Sequence, residues 1–208
     1  MERKEILVAD KITKIYGIGT KTLYEALHEV SLTMYEGELV CIMGPSGAGK
    51  STFINNLSTI DIPTKGKVFI NGKEVRVMSE GEIGKFRYEN LGFIFQEFNL
   101  LDSLTIFENI AVPLTLANVD KKEITCRALV TNPKLIVADE PTGNLDSKNS
   151  HEILSLFKEL NEKEGVSILM VTHDSKIASY SSKLLYIKDG IIDRTIERDY
   201  HKKNIFIK

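Results

Sequence analysis

The chain reads Leu39-Val-Cys-Ile-Met-Gly44-Pro-Ser-Gly-Ala-Gly-Lys50-Ser51 in its first quarter, an apolar run that enters a glycine-rich loop. The apolar residues predict a buried strand, and Ser51–Leu57 predicts the helix behind the loop. Glycines let the backbone curl so that successive N–H groups point into one concavity, where the helix dipole adds positive potential. Since the loop fits the pattern G-x-x-x-x-G-K-[ST], the sequence predicts a site for the phosphates of a nucleotide.

The polar side chains of this loop suggest separate roles. Lys50 is expected to reach the β- and γ-phosphates of ATP, Ser51 to bind Mg²⁺, and Thr52 to lie beside the α-phosphate. An ordinary glycine-rich turn is the alternative, but the strand before the loop and the helix behind it argue against that. The predicted nucleotide-binding residues of the loop are Gly44, Pro45, Ser46, Gly47, Ala48, Gly49, Lys50, Ser51 and Thr52.

A second apolar run, Leu135-Ile-Val-Ala, ends in the two carboxylates Asp139 and Glu140. Asp139 is predicted to hold Mg²⁺ through water, as the acidic residue of nucleotide hydrolases does. Glu140 is one residue further on, where it can reach a water near the γ-phosphate, and it is the predicted general base. Two acidic residues capping a surface strand would be the alternative, which the phosphate loop makes the weaker one.

The remaining pattern predicts the fold class. Strand-like and helix-like segments alternate after Gly37, which is typical of an α/β fold with a largely parallel sheet. Asn71-Gly72 separates Lys67–Ile70 from Lys73–Val77 and predicts a β-hairpin. With the N-terminal segment, this hairpin suggests a small antiparallel layer. No linker or repeat divides the chain, so we expect one domain over residues 1–208.

A longer helix is predicted in the second half of the chain. Asp146 can cap its first turn, and Gly165 is expected to end it. Its predicted apolar face consists of Ile153, Leu156, Phe157 and Leu160. Cys41, within the first apolar run, is expected to be a small core residue.

The composition excludes some classes of function. The 208 residues are 42% hydrophobic and 27% charged, with a net charge of −2 and no basic stripe, so we expect no nucleic-acid partner. The charged N-terminus lacks the apolar core of a secretory signal, and no apolar run approaches the roughly 18 residues of a membrane span. The two cysteines are far apart and are expected to be reduced. These features predict a cytoplasmic protein that reaches a membrane only through a partner.

Three further motifs and one aromatic residue resemble the ATP-binding subunits of ABC transporters. Asp139-Glu-Pro-Thr-Gly-Asn-Leu-Asp146 resembles their Walker B motif and D-loop. Phe95-Gln96-Glu97-Phe98 resembles their Q-loop, and Val171-Thr-His173-Asp174 their H-loop. Tyr16 lies where the family keeps the aromatic residue that stacks on adenine. The resemblance, from Ile6 to about Ile196, implies a P-loop NTPase core.

The resemblance also implies roles for these residues. Tyr16 would stack on adenine, His173 would contact the γ-phosphate, and Asp146 would lie between two ATP-binding subunits. Gln96 would contact Mg²⁺ or the attacking water and sense the membrane partner. The alternatives are a surface aromatic for Tyr16, a polar loop residue for Gln96 and a structural histidine for His173. The predicted catalytic residues are thus Glu140, His173 and Gln96, and the predicted metal ligands are Ser51, Gln96 and Asp139.

The stretch Phe98-Asn-Leu-Leu-Asp-Ser-Leu-Thr-Ile-Phe-Glu-Asn109 narrows the resemblance. It is similar to the group that exports or releases lipoproteins, macrolides and antimicrobial peptides, and most of all to bacitracin-type peptide-resistance subunits. The implied partners are a transmembrane permease and a second ATP-binding subunit, as a homodimer. The chain would then lie on the inner face of the cell membrane, and the permease would select the transported substrate.

One motif of the family, the L-S-G-G-Q type signature, is missing, since no Ser-Gly-Gly occurs in the chain. Val119-Asp-Lys-Lys-Glu-Ile-Thr125 joins directly to Cys126-Arg-Ala-Leu-Val130 instead. The first stretch resembles an earlier helix start and the second resembles the end of the signature helix. We therefore expect that an internal segment is lacking and that the helical subdomain, about residues 97–131, is shortened. One continuous helix over Lys121–Val130 is compatible with the junction.

This departure leaves two hypotheses for the function. In the family, each signature helix points at the γ-phosphate held by the other subunit, as an arginine finger does, and such a finger is worth roughly 10³–10⁵ in rate. The chain is either an ATPase subunit coupled to a permease or a module that binds ATP but hydrolyses it poorly. A soluble ABC ATPase of repair or translation is disfavoured by the single short domain. A Rossmann-type dehydrogenase is excluded by the Gly-Lys-Ser of the loop.

Overall fold

A computed structural model describes residues 3–94, 103, 133–143, 145–174, 178–199 and 204–207 of the chain. The described strands are β1 Glu5–Tyr16, β2 Tyr24–Tyr35, β3 Leu39–Met43, β4 Lys65–Ile70, β5 Lys73–Glu74, β6 Leu91–Ile94, β7 Leu135–Asp139, β8 Ser167–Val171, β9 Lys183–Lys188, β10 Ile191–Asp199 and β11 Asn204–Ile207. The described helices are α1 Lys50–Leu57, α2 Glu80–Asn90 and α3 Ser147–Glu164. The predicted helical subdomain lies outside the described residues except for Ser103, as does Cys126.

The larger sheet has the strand order β11-β10-β9-β3-β8-β7-β6. Strands β9, β3, β8, β7 and β6 run parallel, while β10 and β11 extend the sheet by antiparallel pairing. The central strands β3, β7 and β8 are almost entirely buried, as expected for short apolar runs covered on both faces. The predicted α/β fold with a mostly parallel sheet is confirmed.

The smaller sheet, of order β2-β1-β4-β5, is the predicted antiparallel layer. Asn71 and Gly72 turn the chain between β4 and β5 with φ of 49° and 74°, as a two-residue hairpin requires. The predicted strand Lys73–Val77 is wrong beyond Glu74, since Val75–Val77 forms a 3-10 turn. This turn buries Val75 in the core and leads towards α2, so the pairing with β4 stops after two residues.

Helix α1 lies between the two sheets. Its apolar residues Phe53, Ile54 and Leu57 are buried in one cluster with side chains of both sheets. Each such side chain contributes about 1.5–3 kcal/mol of burial free energy, so the helix is held firmly behind β3. Cys41 of β3 is a core residue as predicted, and burial raises the pKa of its thiol to about 12, despite the opposing charge of Arg198.

Helix α3 covers the opposite face of the larger sheet. Asp146 caps it by accepting a hydrogen bond from Asn149 N at 2.8 Å, and Gly165 ends it with φ of 68°, both as predicted. Phe157 is buried against the sheet, but Leu156 is 49% exposed, so its assignment to the apolar face is wrong. Leu154 packs against this cluster instead, because the helix is rotated towards that edge of its apolar stripe.

No helix in the described ranges combines the length and the hydropathy that a membrane crossing needs. The single domain over residues 1–208 stays a prediction.

Candidate nucleotide-binding site

The phosphate loop runs from the end of β3 to the start of α1. Gly44, Gly47 and Gly49 have φ of 153°, 75° and 98°, all in the range that favours glycine. A Cβ atom on Gly44 would lie 2.0 Å from the carbonyl oxygen of Ile187, so no other residue fits there. The backbone geometry of the predicted loop therefore depends on its glycines.

The side chain of Lys50 contacts the first two residues of this loop. Its Nζ donates hydrogen bonds to the carbonyl oxygens of Gly44 at 3.0 Å and Pro45 at 2.8 Å. Both acceptors are neutral backbone carbonyls. The ammonium group can therefore exchange these acceptors for the oxygens of an incoming phosphate, which bind it more strongly because they are charged.

Asp139, the last residue of β7, lies beside Ser51 of α1. Strands β3, β8 and β7 are adjacent and parallel, so their carboxyl ends bring the loop and the acidic pair to one edge of the sheet. Burial raises the pKa of the Asp139 carboxyl and the charge of Glu140 adds to this, while Ser51 and Lys50 oppose it. The positive charge near Asp139 is therefore not enough to offset the burial of its ionised carboxylate.

The oxygens of Ser51 and Asp139 fit a magnesium site. Mg²⁺ is typically held by one or two carboxylates together with waters and the phosphates of a nucleotide, rather than by a cage of protein ligands. The described ranges contain no group of three or more His, Cys, Asp or Glu residues that could hold a metal ion. A divalent cation would also supply positive charge that stabilises the ionised carboxylate of Asp139.

Glu140 and His173 meet at the same edge. Nδ1 of His173 lies 3.3 Å from Oε2 of Glu140, although the two residues follow different strands. Glu140 has φ of 46°, which is uncommon outside glycine, and its N–H donates to the carbonyl of Val171 at 3.0 Å. This backbone turn directs the chain away from β7 while keeping Glu140 beside the end of β8.

Tyr16 is the last residue of β1 and is 40% exposed. Its hydroxyl donates to Oδ2 of Asp61 at 3.0 Å, and the side chain of Thr52 of α1 lies nearby. Tyr16 therefore lies next to the helix that carries the predicted phosphate-binding residues. Sequence reasoning did not identify Asp61, which is 45 residues from Tyr16 and belongs to no motif.

The roles predicted for two further residues, Gln96 and Asp146, stay predictions. Gln96 lies outside the described residues, so its proposed contact with Mg²⁺ or water stays a prediction. Asp146 is a helix cap, and its place between two subunits likewise stays a prediction.

The substitution Asp139→Asn should stabilise the protein in the absence of nucleotide and metal. Burial and the charge of Glu140 disfavour the ionised carboxylate, and the amide removes that charge. We expect a gain on the order of 1 kcal/mol, which corresponds to a rise in Tm of about 2–4 °C for a chain of this size.

The pH dependence of this gain follows from the raised pKa. The ionised Asp139 costs stability above its folded-state pKa, and the cost disappears below the ordinary pKa of about 4. The advantage of Asp139→Asn should therefore be present at pH 7 and absent near pH 3. Thermal unfolding of both proteins with EDTA measures it, with Asp193→Asn, an exposed position, as control. An equal or lower Tm for Asp139→Asn at pH 7 would contradict the assignment.

The chain is similar to proteins of the ABC transporter family. The sequence model of the ABC transporter family matches residues 27–125. The bacitracin export ATP-binding protein BceA of Halalkalibacterium halodurans is 38% identical over 236 positions, which cover 98% of this chain and 93% of that protein. The macrolide export ATP-binding/permease protein MacB of Bdellovibrio bacteriovorus is 36% identical over 87% of this chain and 32% of that protein.

The same comparisons bear on the missing segment. The alignment with BceA extends over 236 positions and this chain has 208 residues, so at least 28 positions have no counterpart here. The family match ends at Thr125, the last residue before the junction inferred from the sequence. Both findings agree with an internal segment that this chain lacks.

Among solved structures, the chain is similar to the ATP-binding cassette MJ0796 in a dimeric post-hydrolysis state bound to ADP and Pi. The TM-score is 0.84 and the sequence identity 33%, over 94% of this chain and 100% of that chain. MJ0796 is a protein of Methanocaldococcus jannaschii. Given these relatives, this chain belongs to the ATP-binding proteins of the ABC transporter family, whose cassettes are ATPases.

Proposed function

We propose that the chain binds Mg-ATP and couples its hydrolysis to a membrane permease that exports or detoxifies antimicrobial peptides. The observation that carries the proposal is the meeting of three parts at the carboxyl edge of one parallel sheet. These parts are the phosphate loop, the neighbouring side chains of Ser51 and Asp139, and the Glu140–His173 contact.

Each part has a role in the proposed reaction. The N–H groups of the loop and the ammonium of Lys50 bind and orient the phosphates. Ser51 and Asp139 would hold Mg²⁺, with Gln96 as a further ligand, and the ion would supply positive charge to the phosphates. Glu140 takes the proton of the attacking water, while His173 holds the carboxylate from one side and contacts the γ-phosphate. Tyr16 stacks on adenine.

The proposed partners follow from the relatives. BceA is named for bacitracin export, and MacB combines an ATP-binding part and a permease in one protein. We assign this chain a separate transmembrane permease and a second ATP-binding subunit, in keeping with the dimeric state of MJ0796. The chain then acts on the cytoplasmic side of the cell membrane, attached through the permease.

A second candidate function is an ATP-binding module with little turnover of its own. The absence of any Ser-Gly-Gly and the positions missing against BceA favour it, because the missing motif acts on the partner's nucleotide. Such a chain would bind Mg-ATP as firmly as an intact cassette and would differ only in hydrolysis.

Titration of the purified chain with a fluorescent ATP analogue, with Mg²⁺ and with EDTA, tests the part that both candidates share. We expect saturable binding that is weaker by about tenfold or more in EDTA, since phosphates at such sites are bound together with the ion. Binding that is unchanged by EDTA would contradict the roles of Ser51 and Asp139. No binding at all would overturn both candidate functions.

A further inference from the structure

The orientation of the Tyr16 ring depends on groups outside the motifs of the nucleotide site. Lys14 and Tyr16 are two residues apart on β1, so their side chains lie on the same face of the strand. Nζ of Lys14 lies over the Tyr16 ring, 5.0 Å from its centroid. One face of the ring is therefore covered by an ammonium group, and a base can stack only on the other.

A single carboxylate holds both of these side chains. Oδ1 of Asp61 accepts a hydrogen bond from Lys14 Nζ at 2.6 Å and another from Ile62 N at 2.8 Å. Oδ2 of the same residue accepts from the Tyr16 hydroxyl at 3.0 Å. Lys14 also donates to the carbonyl of Ile62 at 2.8 Å, which anchors it to the loop that follows α1.

These contacts restrain two different motions of the ring. The hydrogen bond at the hydroxyl fixes the position of the ring's tip but leaves rotation about its long axis free. The ammonium group over the ring opposes that rotation, since a cation is attracted to the face of an aromatic ring. Because Asp61 holds both groups, it determines the plane of the ring.

The same network connects the ring to the phosphate loop. The side chain of Thr52, one residue after Ser51, lies near the Tyr16 hydroxyl. The surface proposed for the base therefore adjoins the helix that carries the proposed phosphate-binding residues. A ligand that makes both contacts then binds with less loss of conformational freedom.

We infer that Asp61 is a positioning residue that holds the Tyr16 ring, together with Lys14, in the plane on which the adenine base stacks. The inference rests on the proposed binding of ATP and adds a determinant of affinity for the base. Asp61 acts through Tyr16 and not on the phosphates, so its removal affects only ligands that carry a base.

The test compares two ligands on the full chain by calorimetric titration: Mg-ATP and Mg-tripolyphosphate, which has the phosphates without the base. Asp61→Asn keeps the shape of the side chain and removes its charge. We expect its affinity for Mg-ATP to be about 3- to 10-fold lower. Tyr16→Ala should have a larger effect, roughly 5- to 150-fold, because it removes the stacking ring entirely. Affinity for Mg-tripolyphosphate should change by less than about twofold, as after a distant surface change.

A double substitution separates positioning from a general structural role. In the Tyr16→Ala background, Asp61→Asn should have no further effect on Mg-ATP affinity, because the ring it positions is gone. Asp10→Asn, at an exposed position of the same strand, is the matched control. Equal losses for both ligands, independent losses in the double variant, or no loss for Mg-ATP would overturn the inference. If the unchanged chain binds Mg-tripolyphosphate as tightly as Mg-ATP, the inference fails. If it binds neither ligand, the proposed function itself fails.

Discussion

Lys50→Ala should weaken Mg-ATP binding by on the order of 10²–10³-fold. Its Nζ already lies within 3.0 Å of two carbonyl oxygens of the phosphate loop. A bound triphosphate would lose its charge-assisted hydrogen bonds to this group and would remain partly buried without a compensating charge. Displacement of a fluorescent ATP analogue by ATP, with Mg²⁺ present, measures the loss.

The same substitution has a second, smaller consequence in the free protein. The carbonyls of Gly44 and Pro45 lose a donor, so the loop is held less firmly before the nucleotide binds. Lys85→Ala is a suitable control, since this lysine is 77% exposed and only forms a helix ion pair with Glu89. The control should retain its affinity to within about twofold. An affinity of Lys50→Ala equal to that of the control would refute the phosphate-binding role of the loop.

If the chain is the second candidate, an ATP-binding module without the signature motif, its phosphate release should not exceed that of its Glu140→Gln variant, although both bind Mg-ATP. Glu140 lies beside His173 in the geometry expected of a general base, so the chemistry on its own side is present. The group that stabilises the transition state from the partner subunit is what the sequence lacks, as no Ser-Gly-Gly occurs. Its loss is expected to lower the rate by a factor comparable with that of an arginine finger, roughly 10³–10⁵.

Restoring the segment tests the cause of this low rate. A signature-bearing segment from an intact ABC cassette, inserted between Thr125 and Cys126, should raise phosphate release by several orders of magnitude, up to the roughly 10³–10⁵ of a transition-state group acting from the partner. The matched control is the same insert with its serine and two glycines replaced by alanine, which has the length but not the motif. The prediction would be contradicted if the unchanged chain released phosphate clearly and the Glu140→Gln variant did not. That outcome would favour the first candidate function, a transporter ATPase.

Short-range patterns accounted for the loop and much of the framework. The strand, glycine loop and helix around Lys50 form one continuous stretch, so their residue types and spacing specify both the structure and its ability to bind phosphate. The cap at Asp146, the stop at Gly165 and the hairpin at Asn71-Gly72 are equally local, because each depends on the conformation of one or two residues. All three were predicted from the sequence.

Two sequence predictions were wrong, and in both cases the local pattern is compatible with two structures. Leu154 and Leu156 flank the stripe centred on Phe157, and helical periodicity does not decide which edge faces the sheet. Val75 and Val77 favour a strand by residue type, yet the chain forms a 3-10 turn there because the core accepts Val75. Packing against the rest of the protein decided both.

The sequence by itself therefore determined that this chain folds around a phosphate loop, carries an acidic pair after a buried strand and lacks the signature of its family. Only the tertiary structure decided which side chains meet. Glu140 contacts His173 because β7 and β8 are neighbours in the sheet, and Asp61 reaches Tyr16 because the chain after α1 returns to the end of β1. Such contacts join residues that are distant in the chain, and no periodicity or spacing of residue types encodes them. Their geometry follows from how the strands order themselves around one core.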